Sequence, residues 1–199
     1  MHPKPFSKDL EAWLNSRGDK TIDSLSNVFA EKTFAILFLL LMFVPSLPLP
    51  TGGLTHIFEI IAMLVALQLI VGRSSIWLPK SWKKYKINDA IQKKAIPFII
   101  RRITWFEKFA RPRLSGLLVN KVFLMLTGVV VFLLCLSAFL APPFSGLDTL
   151  PSLGVVIIAL SLILEDAAMF VLGVIVGVVG VGLIVGIGSA VGFLFNNFF

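Results

Sequence analysis

Residues 33–72 read TFAILFLLLMFVPSLPLPTGGLTHIFEIIAMLVALQLIVG. The first run, Thr33 to Val44, is uncharged and would be about 18 Å long as a helix, which is short of the roughly 30 Å hydrocarbon core of a bilayer. Proline has no backbone donor and cannot continue a helix, so Pro45, Pro48 and Pro50 must end it. The chain then resumes an apolar run from Leu54 to Gly72. The sequence therefore predicts two apolar helices with a break at 45–53.

This break has two interpretations. The chain turns either in water, as a full hairpin, or inside the bilayer, as a re-entrant pair whose irregular backbone is covered by protein. No charge occurs between Thr33 and Thr55, which favours the re-entrant form. The residues that form the broken-helix backbone here are Pro45, Pro48, Pro50 and Gly53.

The composition places the whole chain in the membrane class. Its 199 residues are 57% hydrophobic and 15% charged, with a mean hydropathy of +0.92, against about 45–50% and 25% in soluble domains. Long apolar runs exclude a disordered chain and a porin-type barrel, and the single Cys135 excludes an intrachain disulfide framework. We expect an all-α integral membrane protein.

A second half resembles the first when the chain is shifted by 93 positions. The shift aligns Pro50 with Pro143 and Gly53 with Gly146, at a second break over 141–152 that also contains Pro142. We therefore predict two pseudo-symmetric membrane repeats, 33–79 and 122–199, which are inverted if each half makes an odd number of crossings. Inversion is the arrangement we expect, and the repeat interface is the expected place for a binding site.

The charge distribution predicts the orientation. Residues 73–121 carry thirteen basic and two acidic side chains, whereas residues 1–32 carry five of each. Short loops rich in Lys and Arg stay in the cytoplasm, so the central segment is expected there. The N-terminus is expected on the same side, because 33–72 crosses an even number of times. Residues 1–32 are expected to form short amphipathic cytoplasmic helices.

The basic segment at 80–121 has apolar residues at helical spacing. This pattern is typical of an interfacial amphipathic helix that lies in the headgroup layer and binds anionic lipid, and it disfavours a nucleic-acid partner. The candidate lipid-facing cations are Lys93, Lys94, Arg101, Arg102, Arg111 and Arg113.

Glycines recur at small-xxx-small spacing in the uncharged C-terminal run, at Gly173, Gly177, Gly182 and Gly186 among others. Such spacing lets helix backbones approach closely. It is explained either by packing within the subunit or by a homodimer seam, and both interpretations stay open.

Few residues could carry chemistry. The sequence has no His/Cys metal cluster, phosphate loop or Ser/His/Asp spacing, so we expect no enzyme, metal or cofactor. Ionisable groups in apolar runs are costly and are functional candidates. The candidate site for a proton, an ion or an anionic substrate group comprises His56, Glu59, Gln68, Arg73, Glu165 and Asp166.

The 93-residue shift also places Gly72 and Arg73 opposite Glu165 and Asp166. A basic and an acidic residue then occupy equivalent positions, which predicts an ion pair across a pseudo-twofold axis. That pair either belongs to the site or is a buried structural salt bridge that joins the halves.

Several motifs together resemble the exopolysaccharide synthesis protein ExoD family. They are ALQLIVGR at 66–73 followed by Trp77-Leu78-Pro79, Arg111-Pro112-Arg113-Leu114, and Pro143-Phe144 leading to Leu164-Glu165-Asp166. The resemblance implies a multi-pass protein of the bacterial inner membrane, linked to exopolysaccharide production and tolerance of alkaline conditions.

Two functions from different classes follow. The first is a small transporter or flippase that moves an ion or an anionic, lipid-linked substrate through the charged site at the repeat interface. The second is a non-transporting scaffold that recruits polysaccharide-synthesis enzymes through the basic cytoplasmic segment.

Overall fold

The computed structural model describes residues 6–17, 19–21, 24, 32–48, 54–73, 75–77, 92–93, 96–107, 115–118, 120–142 and 145–198. Its regular structure over these residues consists of eight α-helices without a β-strand. They are α1 (Phe6–Asn15), α2 (Thr33–Phe43), α3 (Leu54–Ile70), α4 (Ile96–Glu107), α5 (Ser115–Leu118), α6 (Lys121–Leu140), α7 (Thr149–Leu164) and α8 (Ala167–Phe198). The all-helical prediction is confirmed.

Two of these helices are long and apolar enough to cross a bilayer. They are α6, with 20 residues and a mean hydropathy of 2.7, and the first 24 residues of α8, with a mean hydropathy of 2.8. At 1.5 Å per residue they are about 30 Å and about 36 Å long, enough for the hydrocarbon core of a bilayer. The helices α2, α3 and α7 are apolar but shorter. Membrane association is thus suggested by α6 and α8.

The helices α2, α3, α6 and α7 pack side by side in antiparallel contacts. Lys32, just before α2, reaches Glu165 at the end of α7, and Gly72, just after α3, faces Lys121 at the start of α6. Leu134 near the end of α6 and Gly154 near the start of α7 both meet Gly177 of α8. Therefore α2 runs parallel to α6, and α3 runs parallel to α7.

The relative directions of these four helices decide whether the two repeats are parallel or inverted in this structure. Each half contributes a pair of helices, α2–α3 and α6–α7, and an even number of passes returns the chain to the side from which it started. The second pair therefore begins at the same end of the molecule as the first. The inverted arrangement expected from the sequence is not confirmed, because the helices run in parallel.

Both predicted breaks coincide with helix ends. After α2 the backbone turns at Val44, where Ser46 N still donates to Met42 O at 3.0 Å, and Pro45 is fully buried whereas Pro48 is exposed. After α6, Ser145 N donates to the carbonyl of the exposed Pro142 at 3.2 Å. Gly146 then adopts a left-handed φ of +68°. Pro50, Gly53 and Pro143 lie outside the described residues, and a re-entrant course is not confirmed.

The glycines of α8 divide into two groups. A Cβ atom added to Gly154 of α7 would lie 2.6 Å from Gly177 Cα, and one on Gly173 would lie 2.8 Å from Ile158 N. By contrast, nothing lies within 4 Å of such an atom at Gly182 or Gly186. Close packing within the subunit therefore accounts for the first group, whereas a homodimer seam stays a prediction for the second.

Helix α4 packs on protein with its apolar face. Ile96, Ile99 and Ile103 are buried together with Phe6 and Leu10 of α1. Burial of an aliphatic side chain contributes about 1.5–3 kcal/mol, and α1 supplies a matching apolar stripe. Ile99 and Ile103, which the sequence pattern placed on the lipid-facing side, are covered by protein instead, and contact of the segment with headgroups stays a prediction. Lys93, Arg101 and Arg102 are exposed, and Lys94, Arg111 and Arg113 lie outside the described residues.

One carboxylate fastens α1 to α4. Glu107, at the end of α4, accepts hydrogen bonds from Ser7 N at 2.9 Å and from Ser7 Oγ at 2.5 Å. We expect Glu107→Ala to weaken the packing of α1 on α4 by about 1–3 kcal/mol, because the substitution leaves Ser7 N and Ser7 Oγ without their acceptor. Limited proteolysis in detergent should then cleave α1 faster. The matched control is the exposed Glu11→Ala on α1, and equal cleavage rates for the two variants would contradict the prediction.

Candidate functional site

A carboxylate is buried in the middle of the protein. Glu59 lies in the first half of α3 and its side chain is 0% exposed. His56 stands one helical turn earlier on the same face, and its Nδ1 lies 2.8 Å from Glu59 Oε2. The other oxygen, Oε1, has no hydrogen-bond partner among the described residues. Glu59 is therefore only half satisfied.

This arrangement is costly. Burial of an ionised carboxylate away from water is unfavourable unless the charge is paired, and an unsatisfied buried acceptor costs about 1–3 kcal/mol. A buried ionisable side chain of this kind is a candidate for a functional site. Chemically, the pair can share a proton between imidazole and carboxylate, and Oε1 can accept a further proton or contact a small cation.

The surroundings of Glu59 contain few other titratable groups. Cys135 of α6 and Asp148 before α7 lie within electrostatic range of its carboxylate. His56 is about a quarter exposed, and its ring packs edge-on against Phe139 of α6 with centroids 5.3 Å apart. His56 therefore links the buried carboxylate to the surface at the end of the molecule where α3 begins.

A second buried polar atom lacks a partner, and it lies in the other half of the chain. Ser152 of α7 is 0% exposed, and its Oγ has no hydrogen-bond partner among the described residues. The 93-residue shift places Ser152 opposite Glu59. Ser152 is not among the site residues predicted from the sequence, because serine in an apolar helix carries no charge signal, although the 93-residue shift pairs it with Glu59.

Further features recur at the same spacing. Met42 Sδ of α2 and Cys135 Sγ of α6 are equivalent under the shift, and they touch each other at 3.9 Å. The shift pairs Lys32 with Met125 and Glu165 with Gly72. Lys32 contacts Glu165, and Met125 contacts Gly72 in the same way, since a Cβ atom added to Gly72 would lie 3.4 Å from Met125 Sδ. When each residue is replaced by its equivalent in the other half, the Lys32–Glu165 contact becomes the Met125–Gly72 contact. The Met42–Cys135 contact joins two equivalent residues and is therefore unchanged.

The ends of α3 and α7 repeat the same cap. Gly72 has φ +75° and Glu165 has φ +57°, the left-handed conformation that commonly ends a helix. At both helix ends the next residue donates its backbone N–H to the carbonyl five residues earlier. Arg73 N donates to Gln68 O at 3.2 Å, and Asp166 N donates to Ser161 O at 3.0 Å.

The other predicted site residues lie far from Glu59, at the opposite ends of α3 and α7. Gln68 is about 14 Å further along α3, and its Oε1 accepts a hydrogen bond from Trp77 N at 2.6 Å. Asp166 Oδ1 accepts from Ala168 N at 3.0 Å, so it caps the start of α8. Arg73 is exposed. The candidate residues therefore do not form one cluster.

The expected ion pair of Arg73 with the acidic pair needs correction. Glu165 pairs with Lys32 instead, at 2.9 Å, and Lys32 Nζ also donates to Ile163 O at 2.8 Å. The reason is geometric, because Glu165 faces the start of α2, whereas Arg73 follows the end of α3. Lys32 was missed, although a single cation directly before an apolar run is a recognisable signal. Each side chain of the pair is 31% exposed, so it contributes at most about 1 kcal/mol.

Comparison with known proteins identifies the family. The sequence model described as "Exopolysaccharide synthesis, ExoD" matches residues 6–186. This chain belongs to the ExoD family. It is 30% identical over 190 residues to the "Uncharacterized protein slr1875" of Synechocystis sp. (strain ATCC 27184 / PCC 6803 / Kazusa), across 90% of this chain and 87% of that protein. No solved structure matches it significantly. ExoD membership suggests involvement in exopolysaccharide synthesis.

Proposed function

We propose that this ExoD-family protein is a small transporter of the bacterial inner membrane, with its N-terminus in the cytoplasm. It supports exopolysaccharide synthesis by moving a proton or small cation through the site around Glu59; an anionic or lipid-linked substrate is the alternative cargo. The observation that carries the proposal is the fully buried, half-satisfied carboxylate of Glu59. A structural role alone does not account for the free Oε1 atom.

The site lies between two repeats in this proposal. The pairs α2–α3 and α6–α7 are parallel repeats, related by a pseudo-twofold axis that passes near Met42 and Cys135 and runs along the helices. The support comes from the self-mapping contact of these two residues and from the matching helix caps. Parallel repeats about an axis along the membrane normal are one of the two symmetries found in transporters, which bind their cargo at the repeat interface.

The route of the proton follows from exposure. His56 is the partly exposed member of the pair and takes up the proton first, and Glu59 receives it at 2.8 Å. The free Oε1 atom and the Ser152 Oγ atom, which is equivalent under the shift, are buried polar positions without a hydrogen-bond partner among the described residues. Release requires a change in the packing of the two helix pairs, because Glu59 is fully covered in this conformation.

Purified protein in liposomes tests the function. We expect an imposed pH gradient to collapse faster in liposomes that contain the protein than in protein-free liposomes with the same lipids, as reported by an entrapped pH-sensitive dye. A parallel sodium gradient distinguishes a proton from a metal cation. If neither gradient collapses faster with the protein present, transport is wrong.

The alternative is the scaffold that recruits synthesis enzymes. It is favoured by the exposed basic side chains Lys93, Arg101 and Arg102 beside the apolar helices. Under this alternative, reversing these charges abolishes exopolysaccharide production in cells while Glu59→Gln has no effect. The transport proposal requires the opposite pattern.

A further inference from the structure

A cleft opens in a part of the surface whose described lining contains no residue of α8. It has a volume of about 280 Å³ and lies between the second half of α2, helix α4 and the first half of α7. Phe43, Leu153 and Ile157 are among the side chains that form its apolar walls, and Ser46 contributes a hydroxyl. The volume is close to the lower end of the range of about 300–1,000 Å³ typical of small-molecule sites.

Arg102 is the charged residue among the described lining of this cleft. Its guanidinium lies 5.0 Å from the ring centroid of Phe98, a distance at which cation–π attraction holds it. Phe98 in turn packs against Phe43, with centroids 5.6 Å apart. Arg102 is thereby fixed at the rim, and it has no ion pair with a described acidic residue.

This combination selects the occupant. Apolar walls disfavour a free soluble anion, because it would lose its hydration without gaining polar partners. A guanidinium at the rim favours an occupant with an anionic group over a purely apolar molecule, and guanidinium binds phosphate in a bidentate manner. A molecule with an anionic phosphate and an apolar chain satisfies both parts.

We propose that the cleft between α2, α4 and α7 binds one anionic phospholipid, with its phosphate on Arg102 and an acyl chain between Phe43, Leu153 and Ile157. The bound lipid adds to the direct contact that Phe98 of α4 makes with Phe43 of α2. The proposal does not depend on Glu59 or on transport, since the cleft and the buried carboxylate have no lining residue in common.

Native mass spectrometry of the detergent-purified protein tests this site. Phosphatidylglycerol is titrated onto the wild type, with phosphatidylcholine of the same chains and inorganic phosphate as comparison probes. We expect one phosphatidylglycerol to bind in preference to both. Arg102→Ala should weaken binding about tenfold, the loss expected for one charge-assisted contact, and Ile157→Trp should abolish it by filling the cleft.

The neighbouring Arg101→Ala is the matched control, because Arg101 is an exposed arginine on the same helix outside the lining of the cleft. It should bind phosphatidylglycerol like the wild type. Three results would overturn the proposal: equal losses in Arg101→Ala and Arg102→Ala, equal binding of phosphatidylcholine, or unchanged binding in Ile157→Trp. Tight binding of inorganic phosphate would show a soluble anion site instead. Because Ile157→Trp changes no charge, it keeps the test valid if Arg102→Ala fails to fold.

Discussion

Glu59→Gln is expected to abolish the collapse of a pH gradient across liposomes while leaving the protein folded. Glutamine has nearly the same shape and can keep the hydrogen bond to His56 at 2.8 Å, but it cannot take up or release a proton at neutral pH. Removal of a buried charge also removes its desolvation penalty. We therefore expect the thermal stability of the variant to be equal to or higher than that of the wild type.

The matched control is Glu165→Gln. Like Glu59, this carboxylate belongs to an apolar segment, at the end of α7, but it is 31% exposed and pairs with Lys32. The change should leave the flux unchanged and cost at most about 1 kcal/mol of stability. Equal flux in the wild type and Glu59→Gln, or equal loss in the two variants, would contradict the role of Glu59.

Gly154→Ala is expected to cause a large loss of stability. The added Cβ would lie 2.6 Å from Gly177 Cα and 2.8 Å from Gly173 O. Both neighbours are backbone atoms, so no side-chain rotation relieves the clash and α8 must move away from α7. Overpacking of this kind costs about 1–3 kcal/mol. The measurement is thermal unfolding in detergent, followed by circular dichroism.

Gly182→Ala is the matched control for this prediction. It lies in α8, where nothing comes within 4 Å of an added Cβ, and alanine is the better helix former by about 1 kcal/mol. Its midpoint of unfolding should be unchanged or higher. If Gly154→Ala unfolds at the same temperature as Gly182→Ala, the close contact of α7 with α8 is not as described.

Much of the fold could be predicted from the sequence because apolar runs and prolines act locally. Pro45 and Pro142 cannot continue a helix, and α2 and α6 end within two residues of them. The similarity of the two halves at a shift of 93 residues could also be detected in the sequence, because each turn requires Pro and Gly at the same positions. Whether the two repeats are parallel or inverted could not be predicted from the sequence. It depends on whether the short helices α2 and α7 run the full length of the molecule, which their lengths alone do not decide.

The candidate site was predicted in part. Glu59 and His56 were found because an ionisable residue in an apolar run is costly wherever it lies. Arg73 was assigned a partner by the shift alone, whereas the actual partner of Glu165 is Lys32. Pairing depends on which helix ends meet, and that follows from tertiary packing. Ser152 gave no signal because hydroxyls are common in apolar helices.

A pH titration of the reconstituted protein by infrared difference spectroscopy follows the proton on Glu59 itself. We expect one component of the protonated-carboxyl absorption to appear and disappear reversibly with pH in the wild type and in Glu165→Gln, and to be missing in Glu59→Gln. This result would show that the buried carboxylate exchanges a proton with water. If Glu59→Gln lost no component of the titrating absorption, Glu59 would not exchange a proton with water and the proposed transport site would be wrong.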